Sequence, residues 1–239
     1  GVTTSHLLHG SANAVGGQPI TINYSILNNG PGAVFNHVRR DKIYVSVSPV
    51  FNGSAQLIDS LTYTEGLPVG TAVLHTLNYT FPASTSGTRY FYVHTNFDSA
   101  FRETNSNNNI SAAATTIVTS AAPSDLVVSN IQLADTVFAV FPANIKYTIT
   151  NNGTGTTSGI WKDSIFISCS PTFNPATSYY VAKISHSEIL TTGNSYTDSF
   201  SVNMDFAFNI NNCFPKINMN AAYFFIKTNA DNAVYEGSN

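Results

Sequence analysis

The sequence predicts an all-β protein, and three observations support that prediction. Apolar and polar residues alternate in short segments, for example over residues 20–26, which is the period of a strand with one buried face. Asn, Gly and Pro separate these segments, and turns favour those residues. Thr, Ser and Asn make up 80 of the 239 residues, whereas Lys, Arg, Asp and Glu number 23. Strong helix formers are therefore scarce at the surface.

The charge and the hydropathy exclude several classes of partner. The chain has 10 basic and 13 acidic side chains and a formal net charge of −3, so no strong positive field attracts nucleic acid or an anionic membrane surface. Apolar runs such as residues 221–226 are far shorter than the ~20 residues that span a bilayer. We expect a protein that binds no nucleic acid and inserts into no membrane.

An internal repeat predicts the domain organisation. Three segments recur at offsets of 123, 122 and 133 residues: 22–30 with 145–153, 41–52 with 163–174, and 95–103 with 228–236. We predict two similar domains, residues 1–122 and residues 123–239, joined by a short hinge at Pro123. The larger third offset places an insertion of about ten residues between Val202 and Ala222.

The strands of each copy follow from the apolar positions that are predicted to face its core. In chain order these are Ile22, Tyr24 and Ile26 with Ile145, Tyr147 and Ile149; then Ile43, Val45 and Val47 with Ile165, Ile167 and Cys169; then Phe91 and Val93 with Phe224 and Ile226. We also expect Trp161, at the start of a strand, to pack in or near the core. About seven strands in each copy of ~115 residues are typical of an immunoglobulin-like β-sandwich. The fold class predicted is two tandem sandwiches of this type.

The two copies differ at their carboxyl ends. Residues 110–118 are a candidate last strand for the first copy, whereas the second copy has no evident counterpart before Asn239. A sandwich without that strand exposes a sheet edge and part of its core. We expect either that the chain continues in a longer protein or that another element, such as the insertion, covers the edge.

The second copy carries a family resemblance. Its segments occur in the order Asp-Leu-Val-Val, Asn-Asn-Gly-Thr-Gly-Thr-Thr-Ser-Gly-Ile-Trp-Lys-Asp, Ile-Phe-Ile-Ser and Thr-Asn-Ala-Asp-Asn-Ala-Val-Tyr-Glu, between Asp125 and Glu236. This order resembles a CARDB domain, the cell-adhesion-related domain found in bacteria. The first copy resembles it more loosely, because it lacks the opening Asp-Leu and has residues 38–41 in place of the Trp-x-Asp piece. The resemblance implies a sandwich module of secreted or surface-anchored bacterial proteins, without catalysis and without a fixed ligand.

No sequence motif indicates a catalytic site. The chain has no Gly-x-Ser-x-Gly elbow, His-Glu-x-x-His helix or phosphate-binding loop, and none of its six His residues lies at metal-ligand spacing from another. The glycine-rich residues 153–159 precede a predicted strand, so no helix N-terminus is available there to hold a pyrophosphate. We predict that the protein is not an enzyme and has no catalytic residues.

Aromatic residues at outward-facing strand positions form a candidate binding site. Alternate residues of a strand point to opposite faces of its sheet, so an aromatic stripe is predicted on one outer face. It consists of Tyr44, Tyr90, Tyr92, Phe166, Tyr223 and Phe225. Two interpretations are open: the stripe stacks on sugar rings or docks another module, or its members are cross-strand pairs that steady the sheet.

Two further candidates concern a cation and a disulfide. Oxygen donors suited to calcium occur in a turn of each copy: Asn96, Asp98 and Glu103, and Asn229, Asp231 and Glu236. The alternative is an ordered turn that these side chains cap themselves. Cys169 and Cys213 would close a loop of ~44 residues if they were bridged, and the alternative is two free thiols. We expect no cofactor other than a candidate calcium ion.

Two functions are favoured by these observations, and a third, a hydrolytic enzyme, would require a polar pocket with convergent His and carboxylate groups. The first is a non-catalytic tandem module of a larger secreted or cell-surface bacterial protein, serving as a spacer or an adhesion segment. The second is an accessory carbohydrate- or protein-binding module of an extracellular hydrolase. The expected partners are other domains of the parent protein and a cell-surface glycan or protein, and we expect a monomer.

Overall fold

The computed structural model describes residues 2–9, 12–35, 37–134, 141–168, 170–203 and 223–237. All regular elements in these ranges are β-strands, so no helix there is long and apolar enough to cross a membrane. The chain divides into two compact units, which we call unit 1 (Gly1–Ala121) and unit 2 (Ala122–Asn239).

Unit 1 is a sandwich of two sheets. Its strands are β1 (Val2–His9), β2 (Asn13–Val15), β3 (Pro19–Asn28), β4 (Arg39–Ser46), β5 (Gln56–Tyr63), β6 (Ala72–Thr80), β7 (Gly87–His94) and β8 (Ala114–Thr119). One sheet has the order β1-β3-β6, and the other has the order β2-β8-β7-β4-β5. Tyr24 and Ile26 from the first sheet pack against Ile43 and Val93 from the second, so the core lies between the sheets.

Unit 2 has the same two layers. Its strands are β9 (Leu126–Gln132), β10 (Pro142–Asn151), β11 (Trp161–Ser168), β12 (Tyr179–His186), β13 (Ser195–Asn203) and β14 (Tyr223–Lys227). One sheet has the order β13-β10-β9, and the other has the order β12-β11-β14. Tyr147 and Ile149 pack against Trp161, which is fully buried as predicted. The predicted all-β, immunoglobulin-like sandwich class is confirmed.

A buried asparagine side chain connects several loops of unit 2. Asn151 ends β10 and is 0% exposed. Its Nδ2 donates to the carbonyl oxygens of Gly155 at 2.7 Å and Leu190 at 2.9 Å. Its Oδ1 accepts from the backbone N–H groups of Asp125 and Gly153, each at 3.0 Å. One amide thus joins the end of β10 to the loop after it, to the β12–β13 connection and to the segment before β9.

Asn28 repeats this arrangement at the end of β3 in unit 1. Its Nδ2 donates to the carbonyl oxygens of Gly32 at 2.8 Å and Leu67 at 3.0 Å, and its Oδ1 accepts from the N–H of Gly30 at 3.0 Å. These three partners lie 123 residues before those of Asn151, which is the offset of the sequence repeat. The Asn-Asn-Gly repeat therefore encodes a buried amide network as well as a turn.

The sequence prediction for Val47 is wrong. The alternation of β4 predicts that Val47 faces the core with Ile43 and Val45, but β4 ends at Ser46 and Val47 is 68% exposed. The Ser46 hydroxyl accepts from the N–H of Ser48 at 3.0 Å, and this turn interrupts the alternation. Cys169, the predicted counterpart of Val47, lies outside the described residues.

The last strands are only partly as predicted. Residues 110–118 are predicted to form one strand, but β8 covers Ala114–Thr119, and Ile110 makes an isolated bridge to His94. In the described part of unit 2, no strand pairs with the outer edge of β14. The insertion, together with Cys213, lies within residues 204–222, which the structure does not describe.

Asn151→Ala is expected to lower the free energy of unfolding of unit 2 by about 2–4 kcal/mol, because buried carbonyl and N–H groups lose their partners. The matched control is Asn152→Ala at the exposed neighbouring position, with an expected change below about 0.5 kcal/mol. Urea denaturation of the two variants measures the difference. Equal effects at the two positions would contradict the role of the buried amide.

Candidate functional site

Unit 1 contains a buried ion cluster around Asp41. Asp41 and Arg39 lie on β4 and are 0% and 3% exposed. Arg39 Nε lies 3.2 Å from both carboxylate oxygens of Asp41, and Arg39 Nη2 donates to Glu65 Oε1 at 3.1 Å. The hydroxyl of Thr95 donates to Asp41 Oδ1 at 2.6 Å. Buried charges are tolerated when they are paired and hydrogen-bonded, and these contacts meet that condition.

His75 on β6 completes this cluster as a neutral side chain. Its Nε2 lies 2.6 Å from Arg39 Nη2. Because a guanidinium group only donates, Nε2 accepts and the ring proton is on Nδ1. Burial lowers the pKa of His75, and the charge of Arg39 lowers that pKa further against the opposing effects of Glu65 and Asp41. The ring lies 3.8 Å from that of Tyr63, centroid to centroid.

Unit 2 contains a different buried cluster around Asp163 on β11. Asp163 Oδ2 accepts from the hydroxyl groups of Tyr196 at 2.9 Å and Tyr147 at 3.2 Å. His186 Nε2 lies 3.1 Å from the same oxygen, and the His186 ring lies 6.0 Å from that of Trp161. Burial, followed by the charge of Asp163, raises the pKa of both tyrosines, so both hydroxyl groups stay protonated and donate.

The two clusters occupy matching positions of the strand registers. The cross-strand pairs of unit 1 are Arg39 with Tyr63 and Tyr24 with His75, and the corresponding pairs of unit 2 are Trp161 with His186 and Tyr147 with Asp198. Both units keep the Asp, on β4 or β11, and the Tyr on the facing sheet, on β3 or β10, whereas the His lies on β6 in unit 1 and on β12 in unit 2. Each set contains bonds between the two facing sheets, from β4 to β6 in unit 1 and from β11 to β10 and β13 in unit 2. These groups therefore hold the two sheets of their unit together.

Sequence reasoning missed both clusters, although one signal for them exists. Asp41 has the same strand parity as Ile43 and Val45, and Asp163 has the same parity as Ile165 and Ile167. An acidic residue at an inward-facing position is costly unless it meets a partner. That signal locates the carboxylates, but it does not identify their distant partners.

The predicted calcium ligands of unit 1 form a hydrogen-bonded turn. Asn96 has a φ of 44°, in the left-handed region, and its Nδ2 donates to the carbonyl oxygen of Phe101 at 3.1 Å and to Glu103 Oε1 at 2.5 Å. Glu103 Oε2 accepts from the N–H of Val2 at 2.6 Å. Asp98 pairs with Arg40. The glutamate thus fixes the start of β1.

The same turn recurs in unit 2. Asn229 has a φ of 45°, and its Nδ2 donates to the carbonyl oxygen of Val234 and to Glu236 Oε2, each at 2.8 Å. Glu236 Oε1 accepts from the N–H of Leu126 at 2.7 Å, which fixes the start of β9. Asp231 lies 3.6 Å from Lys162 Nζ.

These contacts favour the ordered-turn interpretation of both segments, because their carboxylate oxygens already face protein donors. In the parts of the chain that the structure describes, no group of three or more His, Cys, Asp or Glu side chains is arranged to hold a metal ion. The calcium site stays a prediction. The disulfide between Cys169 and Cys213 also stays a prediction, because both residues lie outside the described ranges.

Unit 2 carries an aromatic cluster on the outer face of its β12-β11-β14 sheet, and we call it the unit 2 aromatic patch. The ring of Phe173 lies 5.1 Å from that of Phe166 and 5.4 Å from that of Phe225. Tyr180 lies 6.0 Å from Phe166 and is 54% exposed. A cavity of about 350 Å³ adjoins the patch, lined by Phe173, Phe225, Ile226 and Lys227. Tyr223, also predicted for the stripe, is 37% exposed at the start of β14.

The matching rings of unit 1 are more enclosed than predicted. Phe51 lies 5.1 Å from Tyr44 and 5.3 Å from Tyr92. Tyr92 is only 2% exposed, and its hydroxyl donates to the carbonyl oxygen of Ser48 at 2.8 Å. The β4–β5 loop therefore covers Tyr92, which corrects the prediction that it is available to a ligand. Tyr90 is half-buried and pairs with Ser46 across β4 and β7.

No family model and no curated protein matches the sequence. Among solved structures, the chain is similar to the CARDB domain of a Pyrococcus furiosus protein, crystallised in complex with di-metal ions, at 16% identity over 50% of this chain and 88% of that chain, with a TM-score of 0.40. An NMR structure of that domain matches at 17% identity over 49% and 93%, with a TM-score of 0.38. A Listeria innocua β-glucosidase matches at 14% identity over 49% and 16%, with a TM-score of 0.32. The first two are CARDB domains, the family that the sequence resembles.

The neutral state of His75 makes unit 1 sensitive to acid. The pKa of His75 is below its ordinary value of 6.5, so below about pH 6.5 the unfolded chain binds a proton that the folded unit does not. The free energy of unfolding therefore falls as the pH falls through this range. Urea titrations between about pH 7.5 and 5.5 measure the slope.

We expect His75→Gln to reduce this slope, because the Gln side chain can accept from Arg39 without titrating. The slope should not vanish, since burial also lowers the pKa of His94, with a further lowering by Lys42. If the variant and the original chain lose stability equally as the pH falls, the assignment to His75 is wrong.

Proposed function

We propose that this chain is a non-catalytic segment of tandem immunoglobulin-like modules in a larger secreted or cell-surface bacterial protein, where it serves as a spacer or an adhesion segment. One observation carries the proposal: the two polar clusters that contain buried Asp and His side chains are used inside the sandwich cores. Asp41 and Asp163 are 0% exposed, and His186 is 4% exposed. Their bonds hold strands together and leave them without access to a substrate.

The composition supports an extracellular setting for such a segment. The chain is rich in uncharged Thr, Ser and Asn, and only 10% of its residues are charged. A surface of this kind does not attract nucleic acid or anionic lipid by charge. In this role the neighbours of the segment are other domains of the same protein, and the segment itself is a monomer.

A spacer made of independent modules unfolds one module at a time under force. We expect single-molecule stretching of the full chain to give two separate unfolding events. Each should release roughly 390–430 Å of contour length, since about 120 residues extend at ~3.3–3.6 Å each. A single event of twice that length would contradict independent modules.

A second candidate function, the binding of a carbohydrate or a protein surface, is favoured by the unit 2 aromatic patch. Phe173 and Phe225 line an apolar cavity whose wall also includes Lys227. Aromatic faces stack on flat, partly apolar groups, and a neighbouring ammonium group donates hydrogen bonds to hydroxyl or carboxylate oxygens. This candidate corresponds to an accessory module of an extracellular hydrolase.

A glycan array tests this second candidate. We expect Phe173→Ala and Phe225→Ala each to weaken retention of a bound glycan at least about tenfold, because each removes one side of the stacking surface. The matched control is Phe51→Ala in unit 1, where the equivalent ring covers the buried Tyr92 and should not affect retention. If the chain binds no glycan on the array, carbohydrate binding is contradicted, whereas the spacer proposal is unaffected.

A further inference from the structure

Unit 1 has an open groove at the end of the sandwich where β1 begins. The groove has a volume of about 420 Å³ and lies between the loop after β3 and the loop after β7. Asn28 and Gly32 line the first side, and Phe101, Arg102 and Glu103 line the second. A Cβ atom added to Gly32 would meet nothing within 4 Å. We call this space the unit 1 groove.

The corresponding place in unit 2 is filled by residues 122–125, the extended segment that leads into β9. The carbonyl oxygen of Pro123 accepts from the N–H of Gly155 at 2.7 Å, and the N–H of Ser124 donates to the carbonyl oxygen of Tyr235 at 3.0 Å. Ser124 is 2% exposed. A Cβ atom added to Gly155 would lie 2.0 Å from the carbonyl oxygen of Ala122, so the segment and the loop are in close contact.

Two wall positions of the unit 1 groove have counterparts in unit 2. Gly32 corresponds to Gly155 at an offset of 123, and Arg102 corresponds to Tyr235 at an offset of 133. Behind these walls lie the same two networks. The buried asparagine amide donates to the carbonyl oxygen of Gly32 at 2.8 Å or of Gly155 at 2.7 Å, and the turn glutamate accepts from the first N–H of the first strand. The unit 1 groove therefore lies beside the same two networks that border the filled place in unit 2.

We propose that the unit 1 groove is a docking site for an extended peptide segment joined to the start of β1, with a small residue, Pro and Ser in succession, as in residues 122–124. The N–H of Gly32 donates to the carbonyl oxygen of the Pro, and the carbonyl oxygen of Arg102 accepts from the N–H of the Ser. The groove has room for a residue beside Gly32, because Gly32 has no side chain and a Cβ atom added there would meet nothing within 4 Å. This inference goes beyond the proposed function: in a tandem array, the groove fixes the linker that enters unit 1.

The test uses the full chain with Gly1 replaced by Ala-Ala-Pro-Ser-Asp, the sequence of residues 121–125. A second chain carries Ala-Ala-Gly-Gly-Gly at the same place. We expect exchange of the Gly32 amide hydrogen, followed by NMR, to slow at least about tenfold in the first chain relative to the second, because only the first extension places a fixed carbonyl oxygen on that N–H.

Gly32→Val is the matched control variant. In the chain as it stands, this change meets open space and should leave the melting temperature nearly unchanged. In the Ala-Ala-Pro-Ser-Asp chain, the added side chain should occupy the groove and abolish any gain in melting temperature. Gly32→Ala gives a milder version of the same test if the valine disturbs the loop.

Equal exchange of the Gly32 amide in the two extended chains would overturn the proposal. A gain in melting temperature that survives Gly32→Val would also overturn it, because the extension would then act elsewhere. These outcomes are distinct from a failure of the spacer function, which the stretching experiment detects through the number of unfolding events.

Discussion

Each unit depends on one constraint: a polar group that enters the interior must find its partner there. The constraint is met at the end of each sandwich by an amide and a carboxylate. Asn151 bonds the loop after β10 to the segment before β9, and Glu236 bonds the turn after β14 to the first N–H of β9. Asn28 and Glu103 hold the same places in unit 1. These side chains position the first strand of each unit and shape the groove beside it.

In the middle of the sandwich, the buried carboxylate has different partners in the two units. In unit 1 the buried carboxylate of Asp41 is paired with Arg39, and a neutral His75 accepts from Nη2 of the same guanidinium group. In unit 2 the carboxylate of Asp163 is held by tyrosine hydroxyl groups and an imidazole. Both units have the carboxylate (Asp41 or Asp163) and the tyrosine on the facing sheet (Tyr24 or Tyr147). The other members of the cluster differ between the units. Substituting only one member would leave a buried polar group unpaired.

Because the charged and polar side chains of the two clusters are buried and bonded to one another, a ligand would have to bind to surface residues. We propose two such surfaces among the described residues: the unit 2 aromatic patch and the unit 1 groove. They differ in chemistry, because the patch offers ring faces to a flat ligand, whereas the groove offers one backbone donor and one backbone acceptor to an extended chain. The covering of Tyr92 by the β4–β5 loop shows that repeated rings need not be equally available in both units.

The sequence by itself determined the features that depend on the alternation of apolar and polar residues and on the internal repeat. Alternation located the strands and the inward positions of Ile22, Ile145 and Phe91, and the fixed offsets marked the corresponding residues of the two units. It also indicated the ordered turn around Asn96 and Asn229 as one interpretation, since Asn and Asp side chains cap tight turns. Only the tertiary structure decided which distant groups meet. The burial of Tyr92 under Phe51, the position of Phe173 beside Phe225 and the pairing of Asp163 with Tyr196 all join residues far apart in the chain. No local pattern records such a contact, because it forms only when strands and loops that are distant in the sequence meet on one sheet or across the core.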